Sequence, residues 1–366
     1  MDYRVGAVER AAFKRCRRQW DLGSANRQQL RPVAATGSGL ADAVREALAV
    51  YYYPGMWDWQ SSIVLPLVRK AFMRSIAAAP ASAQRTEDVD VGTELLERYF
   101  EWAPSVDDFG PLKIEQDVEA IVPDIRRPDT GLLTGAGRRV LYTERVPLLA
   151  VDDADEFWVV RHQVVAGWGE LETLLLDEAA IAACWAWEET FLGMQVTGTI
   201  HNEVLRSPPA GLEPAPRANR TGRPGRGGYA QHEPSGGGRS IPQHQRPDRV
   251  ADRPMGLDRV RQETAGVLRR THIRRTRAEI AAAGVQIGAE VLDMLDPELR
   301  VYPTPSAAHC GRCDFLAPCL TMGEGADPAL DLAARYRRDP VGPAHTPRLG
   351  AGGGGRGAVM PPAPPL

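Results

Sequence analysis

Lysine is almost missing from this chain. Of 44 lysines and arginines in 366 residues, only Lys14, Lys70 and Lys113 are lysines. Chemistry that needs a flexible ammonium or a neutral amine therefore has three positions to choose from. Long apolar runs are missing too: no stretch of about 18 apolar residues occurs, which excludes an ordinary transmembrane helix. The opening residues Met1-Asp2-Tyr3-Arg4 lack the apolar core of a signal peptide, so a cytoplasmic, reducing location is expected. Charge of one sign is not in excess, since a net −3 gives no global pull toward an anionic partner. No G-x4-G-K-(S/T) loop, His-Glu-x-x-His pair or serine elbow is present. The glycines from Gly225 to Gly228 fall in low-complexity sequence without a strand–turn–helix context.

What is present is a set of thiols. Cys310, Cys313 and Cys319 follow a C-x2-C-x5-C spacing in a Gly/Pro-containing turn, and Cys16 stands near the other end of the chain. In a reducing setting such clustering reads as metal or cluster ligation rather than disulfides. A soft, all-thiolate set suits an iron–sulfur cluster or zinc, and a three-cysteine site completed by His309 is a further arrangement. Cys184, in Ala182-Ala183-Cys184-Trp185, lies on an apolar helix face and reads as core.

Along the chain, residues 9–22 read as a basic amphipathic helix, followed by a linker to about Thr36. Leu40, Val44, Ala47, Leu48 and Tyr51 share one helical face, and two more helices are expected near 61–78 and 90–102. Residues 113–122, 139–151 and 157–166 are short and rich in Val, Ile, Leu, Tyr and Trp, as strands are. The acidic run Asp152-Asp153-Ala154-Asp155-Glu156 makes the turn between the last two. Residues 170–192 return to helix, and 194–205 alternate as a strand. The stretch 207–256, loaded with Pro, Gly and Arg, is expected to be a flexible insertion. Helices are expected near 257–270, 276–295 and 327–338, and a Gly/Pro tail closes the chain. The order implies an α/β or α+β core with one crossover helix.

Three features together resemble the iron–sulfur branch of the PD-(D/E)XK nuclease superfamily. They are the Cys16-Arg17-Arg18-x-Trp20 motif, the strand–strand–strand–helix–strand order, and the terminal cysteines preceded by Tyr302-Pro303. That branch includes AddB/RecB-type nuclease domains and CRISPR-adaptation exonucleases. The resemblance implies a restriction-endonuclease-like α/β core, a mixed central sheet with flanking helices. It also implies a 4Fe–4S cluster on Cys16, Cys310, Cys313 and Cys319 that joins the N- and C-terminal segments; zinc on the same thiolates is the alternative. The expected organisation is N-terminal helices and core over 1–206, insertion over 207–256, C-terminal helices and cysteine cluster over 257–340, and a disordered tail over 341–366.

The same resemblance implies a catalytic set that is missing here. Phosphodiester hydrolysis in the superfamily needs acids to hold a divalent metal and a lysine to position the water. The metal-binding aspartate position carries Pro147, the acid and lysine positions carry Arg161 and Gln163, the histidine position falls on Ala41, and the Gln-x3-Tyr positions fall on Ala179 and Ala183. Ala12, Val68 and Pro111 stand two residues before the three lysines, so no (D/E)-x-K exists anywhere in the chain. An arginine in place of a metal-binding acid puts a permanent positive charge where the cation belongs. The expectation is therefore a non-enzyme of DNA processing or repair with no catalytic magnesium. An active exonuclease using relocated acids (Glu144, Asp152, Asp153, Asp155 or Glu156) and a structural or redox-responsive scaffold are the alternatives.

Two arginine groups suit phosphate binding: Arg15, Arg17 and Arg18 around the first cysteine, and Arg269, Arg270, Arg274, Arg275 and Arg277 between two expected helices. DNA, as single strands or ends, and a protein partner are the partners this implies; no membrane partner is expected. Arginines serving only as the surface cation of a lysine-poor protein are the other reading.

Overall fold

The computed structural model describes residues 2–33, 39–79, 84–127, 129–207 and 259–338. Nearly all of the expected insertion, and the tail, lie outside these. Strand β1 (Tyr3–Gly6) leads into helices α1 (Ala7–Arg15) and α2 (Arg17–Gly23), then β2 (Leu30–Pro32). Helices α3 (Gly39–Tyr51), α4 (Ser61–Ala78) and α5 (Arg85–Val106) follow. Next come β3 (Phe109–Ile121), β4 (Val140–Asp152), β5 (Phe157–Val165), α6 (Leu171–Leu175), α7 (Glu178–Thr190) and β6 (Val196–Leu205). The C-terminal part contains β7 (Val260–Ala265), β8 (Leu268–Arg274), α8 (Arg277–Leu295), α9 (Ala307–Cys310), α10 (Leu316–Gly323), α11 (Ala329–Arg335) and β9 (Tyr336–Arg338).

The result is a mixed α/β fold around a mixed seven-stranded sheet. β3, β4 and β5 form an antiparallel meander, and β6 returns parallel to β5 after the α6–α7 crossover. β8 and β7 extend the sheet antiparallel beyond β6, and β1 pairs parallel with the start of β4. Helices cover both faces because both are apolar. On one face, Leu148, Ala150, Trp158, Val160 and Ile200 pack with Leu48, Val68, Leu96 and Phe100 of α3, α4 and α5. On the other, Tyr142, Leu149 and Val159 pack with Ala183, Trp185, Ile287 and Val291 of α7 and α8. Burying a core side chain of this size stabilises the fold by roughly 1.5–3 kcal/mol. No helix among the described residues is long and apolar enough to cross a membrane.

Several expectations are corrected. The described part of the helix expected near 257–270, residues 259–270, instead belongs to the β7–β8 hairpin, turned at Gly266 with φ +58°. The 9–22 helix is two helices, because Cys16 adopts an extended conformation with φ −161° and ψ 112°. The 170–192 helix is likewise two, with the Asp177 carboxylate accepting from the Ala180 amide to start α7. The expected linker contains β2, which pairs with β9, so the last described strand folds back on the first forty residues.

Candidate functional site

Strand β4 has β3 beside it along nearly its whole length, but its other side is shared. β1 takes residues Val140 to Thr143, and β5 takes Leu148 to Val151. Glu144 to Pro147 fall in the gap between them. Pro147 has no amide hydrogen to donate, which suits a position where a ladder stops. The last β4–β5 pair is Leu148 with Val160, so Pro147 and Arg161 flank the point where the two strands part. Arg161 and Gln163 continue along β5, opposite His201 and Glu203 of β6. Pro147 and Arg161 thus flank one notch in the sheet, Gln163 follows two residues on, and Pro147 lines a small pocket with Leu48, Tyr52 and His162 on the α3 side. Ala179 and Ala183 lie on α7, over the face toward which Arg161 points. Ala41 lies on α3, which covers the opposite face.

The notch is charged but balanced. Burial pushes the Glu144 carboxyl up, while the Tyr142 hydroxyl, donating at 2.7 Å, and the Arg161 and Arg10 guanidiniums pull it back. Asp177 adds a second carboxylate nearby. His201 is fully buried, shares a hydrogen bond with the Thr199 hydroxyl at 3.1 Å, and turns Nδ1 toward Asp177 at 3.9 Å. Burial lowers its pKa to about 4 against the raising effect of Asp177, with Arg161 and Arg275 helping to lower it. The Arg161 guanidinium thus lies near two carboxylates and a neutral imidazole, without an ion pair to any of them among the described residues. Its charge offsets part of the negative charge that a divalent cation would otherwise meet.

The acids of the β4–β5 turn do not complete this notch. Asp152 lies eight residues along β4 from Glu144, a separation of about 26 Å in a strand. Its carboxylate is used locally, accepting from the amides of Ala154 and Glu156 and from the Trp158 indole, each at 2.9 Å. Glu156 pairs with Arg274 at 2.8 Å.

Most of the second arginine group is internal rather than the exposed cluster expected. Arg269 pairs with Glu203 at 2.8 Å and stacks over Trp168. Arg270 is fully buried, bonded to Asp107 at 2.7 Å and to Asn202 at 2.7 Å. Arg275 donates to the Leu174 and Leu175 carbonyls that end α6. Arg274 and Arg277 remain exposed, in ion pairs with Glu156 and Glu188. Around the first cysteine, Arg15 is exposed, Arg17 lies over the rings of Phe13 and Tyr302, and Arg18 reaches Cys319.

Cys16 is drawn toward the region of Cys310, Cys313 and Cys319 although nearly 300 residues separate it from them. Cys16 Sγ accepts from the Thr304 amide at 3.5 Å, and Cys310 Sγ from the Ser306 amide at 3.3 Å. Arg18 donates to Cys319 Sγ at 3.6 Å. The Cys313 thiol is pushed up by burial, drawn down by the Phe315 amide, and pushed up again by Cys16 and Cys310 nearby. All four are half-buried. Amide and guanidinium donors aimed at sulfur favour thiolates, so the donor chemistry fits metal ligation. Among the described residues, no group of three or more His, Cys, Asp or Glu side chains is placed to hold a metal ion. Cys184 is core, with burial pushing its thiol up to about 12.

One polar constellation was not singled out from the sequence. Tyr52 and Tyr99 share a hydroxyl hydrogen bond at 2.8 Å, and Tyr52 donates to Asp107 at 2.9 Å. Asn202 donates to Tyr99 and approaches His162 Nδ1, both at 3.1 Å. His162 stacks on Tyr52, and burial with Arg270 nearby lowers its pKa to about 3. These side chains come from α5, β5, β6, β8 and the residues just after α3 and α5, so no local motif announces them. No family model matches this chain, and no curated protein matches it.

Proposed function

We propose that this protein is a catalytically silent member of the PD-(D/E)XK nuclease type that works in DNA processing by binding rather than cleaving. The observation that carries the reading is Arg161. It occupies the notch where β4 and β5 part, among Glu144, Asp177 and His201, with Pro147 across from it and Gln163 beyond it. The order α5, β3, β4, β5, α7, β6 supports the family reading, because a meander followed by a crossover to a parallel strand is the arrangement the superfamily implies. No catalytic magnesium belongs to this reading.

Cys16, Cys310, Cys313 and Cys319 would hold a 4Fe–4S cluster, with zinc as the alternative metal. When bound, such a group supplies a covalent tie between chain ends rather than a reacting centre. The protein's own contribution is to aim N–H donors at the sulfurs and to pack Phe315 and Tyr336 beside Leu22 and Leu30. The partner is DNA as single strands or ends, or a protein.

Anaerobic purification followed by iron analysis, a visible spectrum and a nuclease assay in Mg²⁺ or Mn²⁺ tests the reading. The expected result is a coloured, iron-containing protein that leaves DNA intact and binds single strands less well as salt rises. A colourless zinc protein overturns the cluster. Divalent-dependent degradation that Glu144→Gln abolishes overturns the silent notch. Binding unaffected by salt, or absent, leaves a protein partner in place of DNA.

A further inference from the structure

A cleft of about 200 Å³ lies away from both the notch and the cysteines. Its walls include Asp108, Phe109, Trp158, Arg261, His272 and Arg274, and Arg259 stands at its edge. The α5–β3 connection carries Asp108 across the sheet face to Arg261 and His272, a cross-strand pair on β7 and β8. Two residues further along β8, on the same face, Arg274 lies over the Trp158 ring at 5.5 Å from its centre. Gly198 makes this approach possible, since a Cβ there would stand 2.9 Å from the indole and 2.2 Å from the Ile273 carbonyl.

Two guanidiniums, Arg261 and Arg274, face this cleft and differ from the buried arginines of the same hairpin, while Arg259, also in its lining, is bonded to Glu279 at 2.8 Å. Arg269 and Arg270 are locked by buried partners, whereas Arg261 and Arg274 are each about half exposed; Arg261 pairs with the half-exposed Asp108 and with Glu263, and Arg274 with the more covered Glu156. Exposed ion pairs are worth about 0–1 kcal/mol, so the half-exposed Asp108 is exchangeable, whereas Glu156 holds Arg274 through both oxygens. Asp152 also lines the cleft, but its oxygens already accept three hydrogen bonds, which spreads its charge away from the opening. Trp158 and Phe109 supply an apolar floor that strengthens any charge-assisted bond formed above it.

The geometry points to this cleft as a binding site for a phosphate group, held by Arg261 and Arg274 with Arg259 at the edge, Asp108 being the counter-ion that the phosphate displaces. A phosphate presents several acceptor oxygens that match two planar guanidiniums at once, which a single carboxylate cannot do. Free phosphate and the terminal phosphate of a nucleic-acid strand share this chemistry. The site does not rest on the nuclease-type reading or on the cysteine metal.

The test uses the full chain, with inorganic phosphate as probe at constant ionic strength, read by thermal shift and by tryptophan fluorescence. Wild type is expected to be protected, and Arg261→Gln/Arg274→Gln is expected to bind about tenfold more weakly or worse, the loss of at least one charge-assisted bond. Asp108→Asn removes the competing carboxylate and is expected to bind several-fold more tightly, an opposite sign that misfolding cannot mimic. Oligonucleotides with a 5′-phosphate or a 5′-hydroxyl separate the sources: preference for the phosphate assigns a strand end, and equal binding assigns the free anion. No protection of wild type by phosphate, or equal protection of the double variant, overturns the site.

Discussion

The backbone N–H of Thr304 donates to Sγ of Cys16 at 3.5 Å, joining the first helix pair to the segment before the terminal cysteines. Arg18, two residues on, adds a second connection, donating to the Cys319 carbonyl at 3.4 Å and to its sulfur. Cys16 leaves helical geometry to make this contact, which is why α1 and α2 are separate helices.

If the thiols hold a metal, Cys16→Ala should release it and lower stability strongly. Tying together residues this far apart restricts the unfolded chain by about 5–6 kcal/mol, on the analogy of a long-loop disulfide. Metal analysis and chemical denaturation of the variant check this. Unchanged metal content in Cys16→Ala would remove Cys16 from the ligand set, whatever happened to stability.

Arg161→Met should destabilise the fold by roughly 1–2 kcal/mol at neutral pH, because a carboxylate in the notch loses a nearby cation. Burial already pushes the Glu144 carboxyl up, and removing Arg161 raises it further. Adding Glu144→Gln should recover most of the loss, giving a coupling energy in a double-mutant cycle. Additive effects would mean that Arg161 does not serve Glu144.

Strands β4, β5 and β6 were legible because Val, Ile, Leu and aromatics dominate them and turn residues bound them. The β7–β8 hairpin was not. Residues Leu268 to Ile273 are all buried, so β8 shows no alternation of apolar and polar residues. Its Arg269 and Arg270 are core residues neutralised by Glu203 and Asp107, partners far away in sequence. A run of Arg, Gln, Glu and Ala reads locally as helix, and only the tertiary pairing reverses that preference. The four cysteines could be picked out by spacing, but the Tyr52–Asp107–Arg270 constellation could not, since its members come from separate elements.

That constellation carries a third prediction. Arg270 is fully buried, and Asp107, Asn202 and the Val106 carbonyl accept from its guanidinium. Asp107→Asn leaves the guanidinium buried without its carboxylate, which costs about 3–5 kcal/mol. Replacing both, as Asp107→Asn with Arg270→Met, should cost less than Asp107→Asn alone. Urea denaturation of the three proteins decides, and a double variant weaker than either single one would mean that the pair is not the unit of stability.

Acid stability should follow the buried histidines. His162 and His201 have folded pKa values lowered from 6.5 to about 3 and about 4, so each stays neutral in the fold while the unfolded chain takes up a proton. The unfolded state therefore binds more protons below pH 6.5, and stability falls as pH drops. Each histidine contributes a slope of about 1.4 kcal/mol per pH unit until its folded pKa is reached. Glu9 and Glu144 act in the opposite sense: burial raises their carboxyls, so the fold binds their protons first and gains stability as pH falls through those values. The net expectation is a steep loss just below pH 6.5 that flattens as these carboxyls take up protons. Denaturation midpoints at pH 7, 6 and 5 for wild type and His162→Gln measure it. The variant should lose about one proton's worth of slope between pH 6 and 5, and an unchanged slope would show that His162 is already protonated in the fold.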